Sequence, residues 1–150
     1  MLPKLRQPPS DSRPKHLNTG LMWEKLSDDG SIHDQDQAYL WAAAFAGKIA
    51  SLNSSGFAGH SDWRLPNIRE LRSIVNYFKQ SPAISNVFNA GCSGICTVLD
   101  CSCTVSSNYW SSSSNANNPS NAWNVNFNDG HHNANNKTNN NYVRAVRGGS

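Results

Sequence analysis

The sequence predicts an α+β domain, and three observations point that way. Two amphipathic helical stretches lie before residue 80, a period-two alternation takes over after residue 108, and nothing after residue 80 returns to helical spacing. The chain has 150 residues, enough for one domain with its own core. Charged residues make up 15%, against 37% hydrophobic and five tryptophans, so a charge-swollen disordered chain is excluded. Polarity comes instead from uncharged Asn and Ser.

Residues 1–17 read as a flexible basic tail rich in proline, and the domain is expected over 18–150. Lys4, Arg6, Arg13 and Lys15 against Asp11 account for the whole net charge of +3. The remainder is balanced and has no basic patch interleaved with aromatics, so no nucleic-acid partner is expected. No apolar run approaches the roughly 20 residues of a membrane span. Met1 leads into charged and proline-rich residues, so no signal peptide is expected in this chain.

"TGLMWEKL" reads as the first strand and carries Trp23. "SDDGSIHD" is a turn cluster whose acidic spacing is too irregular for the calcium loop of an EF-hand. Asp34 with Gln37 forms a capping-box pattern that predicts a helix from Asp34 onward. Trp41, Phe45, Ile49 and Leu52 would be its buried face, and Gly56 its end. A second capping box, Asn67 with Glu70, predicts a helix burying Leu71, Ile74, Val75 and Phe78. Between the helices, Trp63 and Arg64 are frame residues, with Asp62 and Arg64 expected to interact.

"NYWSSS", "AWNVNFN" and "YVRAVRG" are the late strands. In the second, Trp123, Val125 and Phe127 alternate with Asn124, Asn126 and Asn128, as expected of a strand with one dry face. Trp110, Tyr142 and Val143 are further anchors. Cys92, Cys96, Cys101 and Cys103 follow C-x3-C-x4-C-x-C, which lacks the usual paired zinc knuckles. Two disulfides are the expectation, with a structural zinc and free thiols as alternatives, and the spacing does not choose among the three pairings. The five histidines share no ligand spacing. No metal and no cofactor are expected.

"TGLMWEK", "GHSDWRLPNIREL", "YWSSS", "AWNVNFNDG" and "NNYVRAVRGG", in that order, resemble the recurring blocks of the C-terminal domain of bacterial collagen-like surface proteins. The resemblance implies a C-type-lectin-like fold, with two helices and a small, mostly antiparallel sheet. A subset of such domains are variable proteins of diversity-generating retroelements, in which adenine-directed mutagenesis rewrites the end of the gene. Asn codons carry adenine at both determining positions, so an asparagine-saturated end resembles a translated template. The resemblance therefore implies a variable region over about 108–149.

Its changeable, ligand-facing positions would be Asn115, Asn117, Asn118, Asn121, Asn124, Asn128, Asn133, Asn135, Asn139, Asn140 and Asn141. His131 and His132 would be slots already altered, while Asn126 and Asn136 are less secure as slots. The partner would be a protein or glycan on another cell or surface, with oligomeric state open. Cell-surface or extracellular placement is expected, with the cytoplasm left open. A non-diversified adhesin or glycan-binding domain is the alternative.

Catalysis is not expected. Formylglycine-generating enzymes share the broad fold class but need a late cysteine pair, and the last cysteine here is Cys103. The calcium-dependent lectin pattern lacks its acids around Asn118 and Trp123.

Overall fold

The computed structural model describes residues 20–148, so the expected tail over 1–17 lies outside the described residues. The first strand, β1 (Leu21–Trp23), pairs antiparallel with the last, β7 (Val146–Gly148). Between them stand β2 (Ala38–Tyr39), β3 (Asn108–Ser114), β4 (Asn121–Asn126), β5 (His132–Asn136) and β6 (Asn141–Tyr142). These form a five-stranded sheet in the order β2-β6-β3-β4-β5, antiparallel except where β3 meets β6. The architecture is α+β, with one main helix.

Successive residues of a strand face opposite ways, and β3 and β4 use both faces. Tyr109 and Val125 enter one core with Trp23, Leu71, Phe88 and Phe127. Trp110 and Ala122 enter a second core with Leu52, Trp63 and Val143. Trp23, Trp110, Val125, Phe127 and Val143 are all buried, as their roles as anchors require, while Trp123 and Tyr142 are half-buried.

The main helix begins later than its sequence signal. Asp34 does not cap it: its carboxylate accepts the Gly30 and Asp36 N–H groups at 2.6 and 2.8 Å and closes a turn. The chain then stays extended to pair β2 with β6. Helix α1 (Trp41–Ala43) starts instead where the Trp41 N–H donates to the Lys137 carbonyl and its indole to the Ser111 carbonyl. A π-helical segment, Ala44–Ile49, follows and runs into α2 (Ala50–Ser55), which ends at left-handed Gly56. The wider π turn brings Ala44 and Ile49 onto one buried face and turns Lys48 inward, leaving Phe45 exposed rather than in the core.

Helix α3 (Ile68–Arg72) has both halves of its Asn67–Glu70 capping box. It stops early because backbone groups beyond it are claimed elsewhere. Val75 bridges to Ile84, and the Ser81 and Ala83 N–H groups donate to the Asn128 and Phe127 carbonyls. Phe78 is consequently fully exposed, not a core residue. The expected Asp62–Arg64 contact is also replaced. Arg64 makes a two-pronged pair with Glu70, at 2.8 Å on each prong, and Asp62 takes Arg147 at 2.6 and 3.0 Å.

Three charged side chains are buried among the described residues: Glu24, Lys48 and Arg144. Glu24 Oε2 accepts Lys48 Nζ and lies against His33 Nδ1, both at 2.7 Å, while its Oε1 accepts the Ala145 N–H at 3.0 Å. Arg144 donates to the carbonyls of Glu24, Phe88 and Cys103 and to the hydroxyls of Ser102 and Thr104. Arg144 is thus committed to carbonyl and hydroxyl oxygens in the core rather than to an acid or to solvent.

Burial alone pushes the Glu24 carboxyl upward, but Lys48 and His33 together outweigh it and hold the group below its ordinary 4.5. A folded value below the unfolded one contributes stability above about pH 4.5, lost as pH falls through the lower value. Replacing Lys48 by Met should cost about 3–5 kcal/mol at pH 7, since it strands a buried carboxylate. Burial then dominates and the carboxyl binds a proton more readily in the folded variant. Urea melts should therefore show the gap between Lys48→Met and the parent narrowing as pH falls from 7 through 4.5 and below; a gap constant with pH would refute the assignment.

Candidate functional site

The late-chain asparagines are positioned by the β3–β4 turn (115–120), the β4–β5 turn (127–131), strand β5 and the loop 137–140. Strand β5 forms one edge of the sheet, so it links the turn at one end to the loops at the other. At the far end the two loops are stitched together, the Lys137 N–H donating to the Ser120 carbonyl at 2.9 Å. Asn117, Asn118, Asn128, His131, His132, Asn133, Asn139 and Asn140 are exposed on this strand and on the turns and loop at its two ends. Asn115, Asn121 and Asn135 are half-buried. His132 and Asn133 point to opposite sides of the strand, so the surface wraps an edge rather than lying on one sheet face.

Two expected surface positions are buried. Asn124 is fully enclosed and Asn141 nearly so. Both side-chain amides donate to Asn135 Oδ1, and Asn124 Oδ1 has no hydrogen-bond partner among the described residues. The cause lies in the sheet. β4 runs between β3 and β5 with cores on both faces, so neither set of alternating residues is fully in water. Ala122, on the same face as Asn124, was the sequence signal for this closeness, because a small residue marks a covered face.

Other asparagines shape the backbone. Asn126 Oδ1 accepts the Asn128 N–H, and Asn136 Oδ1 accepts the N–H and hydroxyl of Thr138. Both therefore serve turns. Lys137 Nζ lies 4.1 Å above the Trp41 ring and donates to Ser114, fixing the loop on the helix start. At the opposite end, Gly130 has φ +89°, and an added Cβ would lie 2.6 Å from a Val75 methyl, so this turn admits only glycine.

Beside that turn the structure adds a cleft that includes Phe78, which sequence spacing had assigned to the buried face of a helix. Tyr77, Phe78, Lys79, Gln80 and Asp129 line an open cleft of about 200 Å³. Ser81 anchors the loop there through its hydroxyl on Asn128 Oδ1 at 2.7 Å. Two exposed aromatic rings thus border the exposed Asn128 and His131.

The four cysteines form two disulfides, Cys92–Cys103 and Cys96–Cys101. Asp28, Asp34 and Asp36 bring carboxylate oxygens within 4.8 Å of one another, in the turn before β2. Burial, then Asp34 and Asp28, push the Asp36 carboxyl up. No helix among the described residues is long and apolar enough to cross a membrane.

Burial separates the asparagines into two classes with measurable consequences. Asn117→Tyr and Asn140→Tyr should change unfolding free energy by less than about 0.5 kcal/mol. Asn124→Tyr forces a ring into a closed sheet and should cost more than about 3 kcal/mol or prevent folding. Thermal melts of the three variants distinguish the classes.

A search of curated proteins finds no match for the chain. The family model of the Lcl C-terminal domain matches residues 14–147, which takes in every strand and helix described above except the last residue of β7. The match covers most of the chain, including the blocks around Trp23, Trp63, Trp110, Trp123 and Arg144, and the protein therefore belongs to the Lcl C-terminal domain family.

Proposed function

We propose that this domain is a ligand-binding variable protein of a diversity-generating retroelement, displaying a changeable edge on a stable C-type-lectin-like scaffold. One observation carries the proposal: eight of the thirteen expected slots are exposed, on edge strand β5 and on the turns and loop at its two ends, while Trp110, Val125, Phe127 and Val143 are buried. Such a division lets side chains change without entering the core. The C-type-lectin-like assignment is supported by first and last strands that pair with each other beside a mostly antiparallel five-stranded sheet.

The slots of the proposal are now Asn115, Asn117, Asn118, Asn121, Asn128, His131, His132, Asn133, Asn135, Asn139 and Asn140. Asn124 and Asn141 join Asn126 and Asn136 in the frame. The role is binding rather than catalysis, toward a protein or glycan presented on another surface. Display at the cell surface or outside it fits two disulfides, which persist in oxidising surroundings.

Binding hot spots favour Trp, Tyr and Arg. An edge made almost wholly of Asn and His offers amides and few large anchors, apart from Tyr77 and Phe78 at one end. This chain therefore stands close to the unselected template.

Sequencing the DNA around the gene tests the reading. We expect a near-identical repeat beside a reverse-transcriptase gene, differing only at adenines, with changes at codons for exposed slots and none at Val125 or Phe127. A gene with no such repeat, or with changes spread over all four bases, would reject it. A displayed library randomised at the eleven slots should yield binders tighter than this chain by about 100-fold or more, equivalent to about 2.7 kcal/mol.

A further inference from the structure

The two disulfides lie closer together than bracing a surface loop requires. Cys96 Sγ and Cys103 Sγ belong to different bridges yet stand 3.8 Å apart. The sulfurs of Cys92, Cys96 and Cys103 all lie within 4.8 Å of one another, and Cys101 is bonded to Cys96 in the second bridge. A tetrahedral zinc site with Zn–S bonds of about 2.3 Å places its sulfurs about 3.8 Å apart. One edge of that tetrahedron is already present between the bridges.

The backbone holds these residues by hydrogen bonds that do not involve sulfur. The Cys103 N–H donates to the Leu26 carbonyl at 2.8 Å, and Ala90 and Ser102 exchange a reciprocal pair at 2.8 and 2.9 Å. The Cys101 N–H donates to Thr97, while Cys96 O and the Ile95 N–H clasp Asp28, each at 2.9 Å. Opening the bridges therefore leaves Cys96, Cys101 and Cys103 gathered, with Cys92 two residues from the Ala90–Ser102 pair. Four thiolates around a divalent cation carry a net negative charge. The buried Arg144 guanidinium, donating to the Cys103 carbonyl at 2.5 Å, lies beside them to offset part of it. Cys92 is exposed while the other three are buried, so reductant and metal would enter from its side.

We propose that Cys92, Cys96, Cys101 and Cys103 are a redox-gated thiolate site for zinc: bridged and metal-free when oxidised, tetrahedral and metal-loaded when reduced. A dithiol reductant gives each bridge two electrons and two protons and leaves as its own disulfide. Zn²⁺ then replaces the four thiol protons, which pass to solvent. Either state ties the 92–103 loop, so the domain would keep its fold on passing between reducing and oxidising surroundings.

The test reduces the full chain with a dithiol, removes the dithiol without oxygen, and titrates Co²⁺ as a spectroscopic stand-in for zinc. The expected result is one cobalt per chain, with sulfur-to-metal charge-transfer bands and intense tetrahedral d–d bands. Zinc should displace it, and near-ultraviolet circular dichroism should be retained throughout. The oxidised chain should show no such bands. Cys92→Ser/Cys103→Ser, which keeps the Cys96–Cys101 pair, should lose at least about 100-fold in affinity, more than second-layer substitutions at metal sites cost. Absent thiolate bands, bands that grow only as the near-ultraviolet signal collapses, or undiminished affinity in the double variant would each overturn the proposal.

Discussion

A buried carboxylate is costly unless every partner arrives with it, and in this domain the partners of Glu24 come from all over the chain. Lys48 reaches it from the main helix, His33 from the preceding turn, and the Ala145 amide from the segment leading into β7. Arg144, next to Ala145, takes the Glu24 carbonyl and fans out to Phe88, Ser102, Cys103 and Thr104. The π turn acquires a purpose from this, since the extra residue in that turn is what aims Lys48 inward. The network joins first strand, helix, cysteine loop and final segment at one point. Such a contact contributes more to selecting one arrangement than to raising stability, because an apolar substitute for the whole set would pack as well.

With the first and last strands held there, the exposed surface around β5 contributes little to the cores. The cores take Val125 and Phe127 on one side and Trp110 and Val143 on the other, and the exposed asparagines belong to neither. Independence of this kind separates a surface that tolerates change from one that does not. It is incomplete here. Asn124, Asn135 and Asn141 interact across β4, β5 and β6, so changes at Asn135 are felt inside the sheet. The cysteine loop also stands apart from the edge and close to the buried network, through Ser102, Cys103 and Thr104 on Arg144. Its oxidation state therefore concerns the frame and not the displayed surface.

Much of the fold was legible where a signal is local. The Asn67–Glu70 capping box, the Gly56 terminator and the strand around Trp110 depend on residues within a few positions of one another, and each appears as expected. The Asp34–Gln37 box carries the same local signature and fails. Asp34 found nearer backbone donors at Gly30 and Asp36, and β6 claimed Ala38 and Tyr39. Phe78 fits the helical spacing, but hydrogen bonds to Phe127 and Asn128 in the β4–β5 turn draw the chain off before that turn of helix can form.

The sequence alone determined the class of fold, the family, the anchors Trp23, Trp110, Val125, Phe127 and Val143, and where the asparagines concentrate. The family follows from a resemblance carried by ordered blocks of residues; the rest follows from composition and from periods of two and three to four residues, which any chain segment carries by itself. Tertiary structure alone decided that Lys48 and Arg144 go inside, that Asp62 faces Arg147, that Asn124 and Asn141 belong to the frame, and how the cysteines pair. Each depends on groups far apart in the chain that meet only after the sheet closes, and burial is a property of what covers a residue, not of the residue.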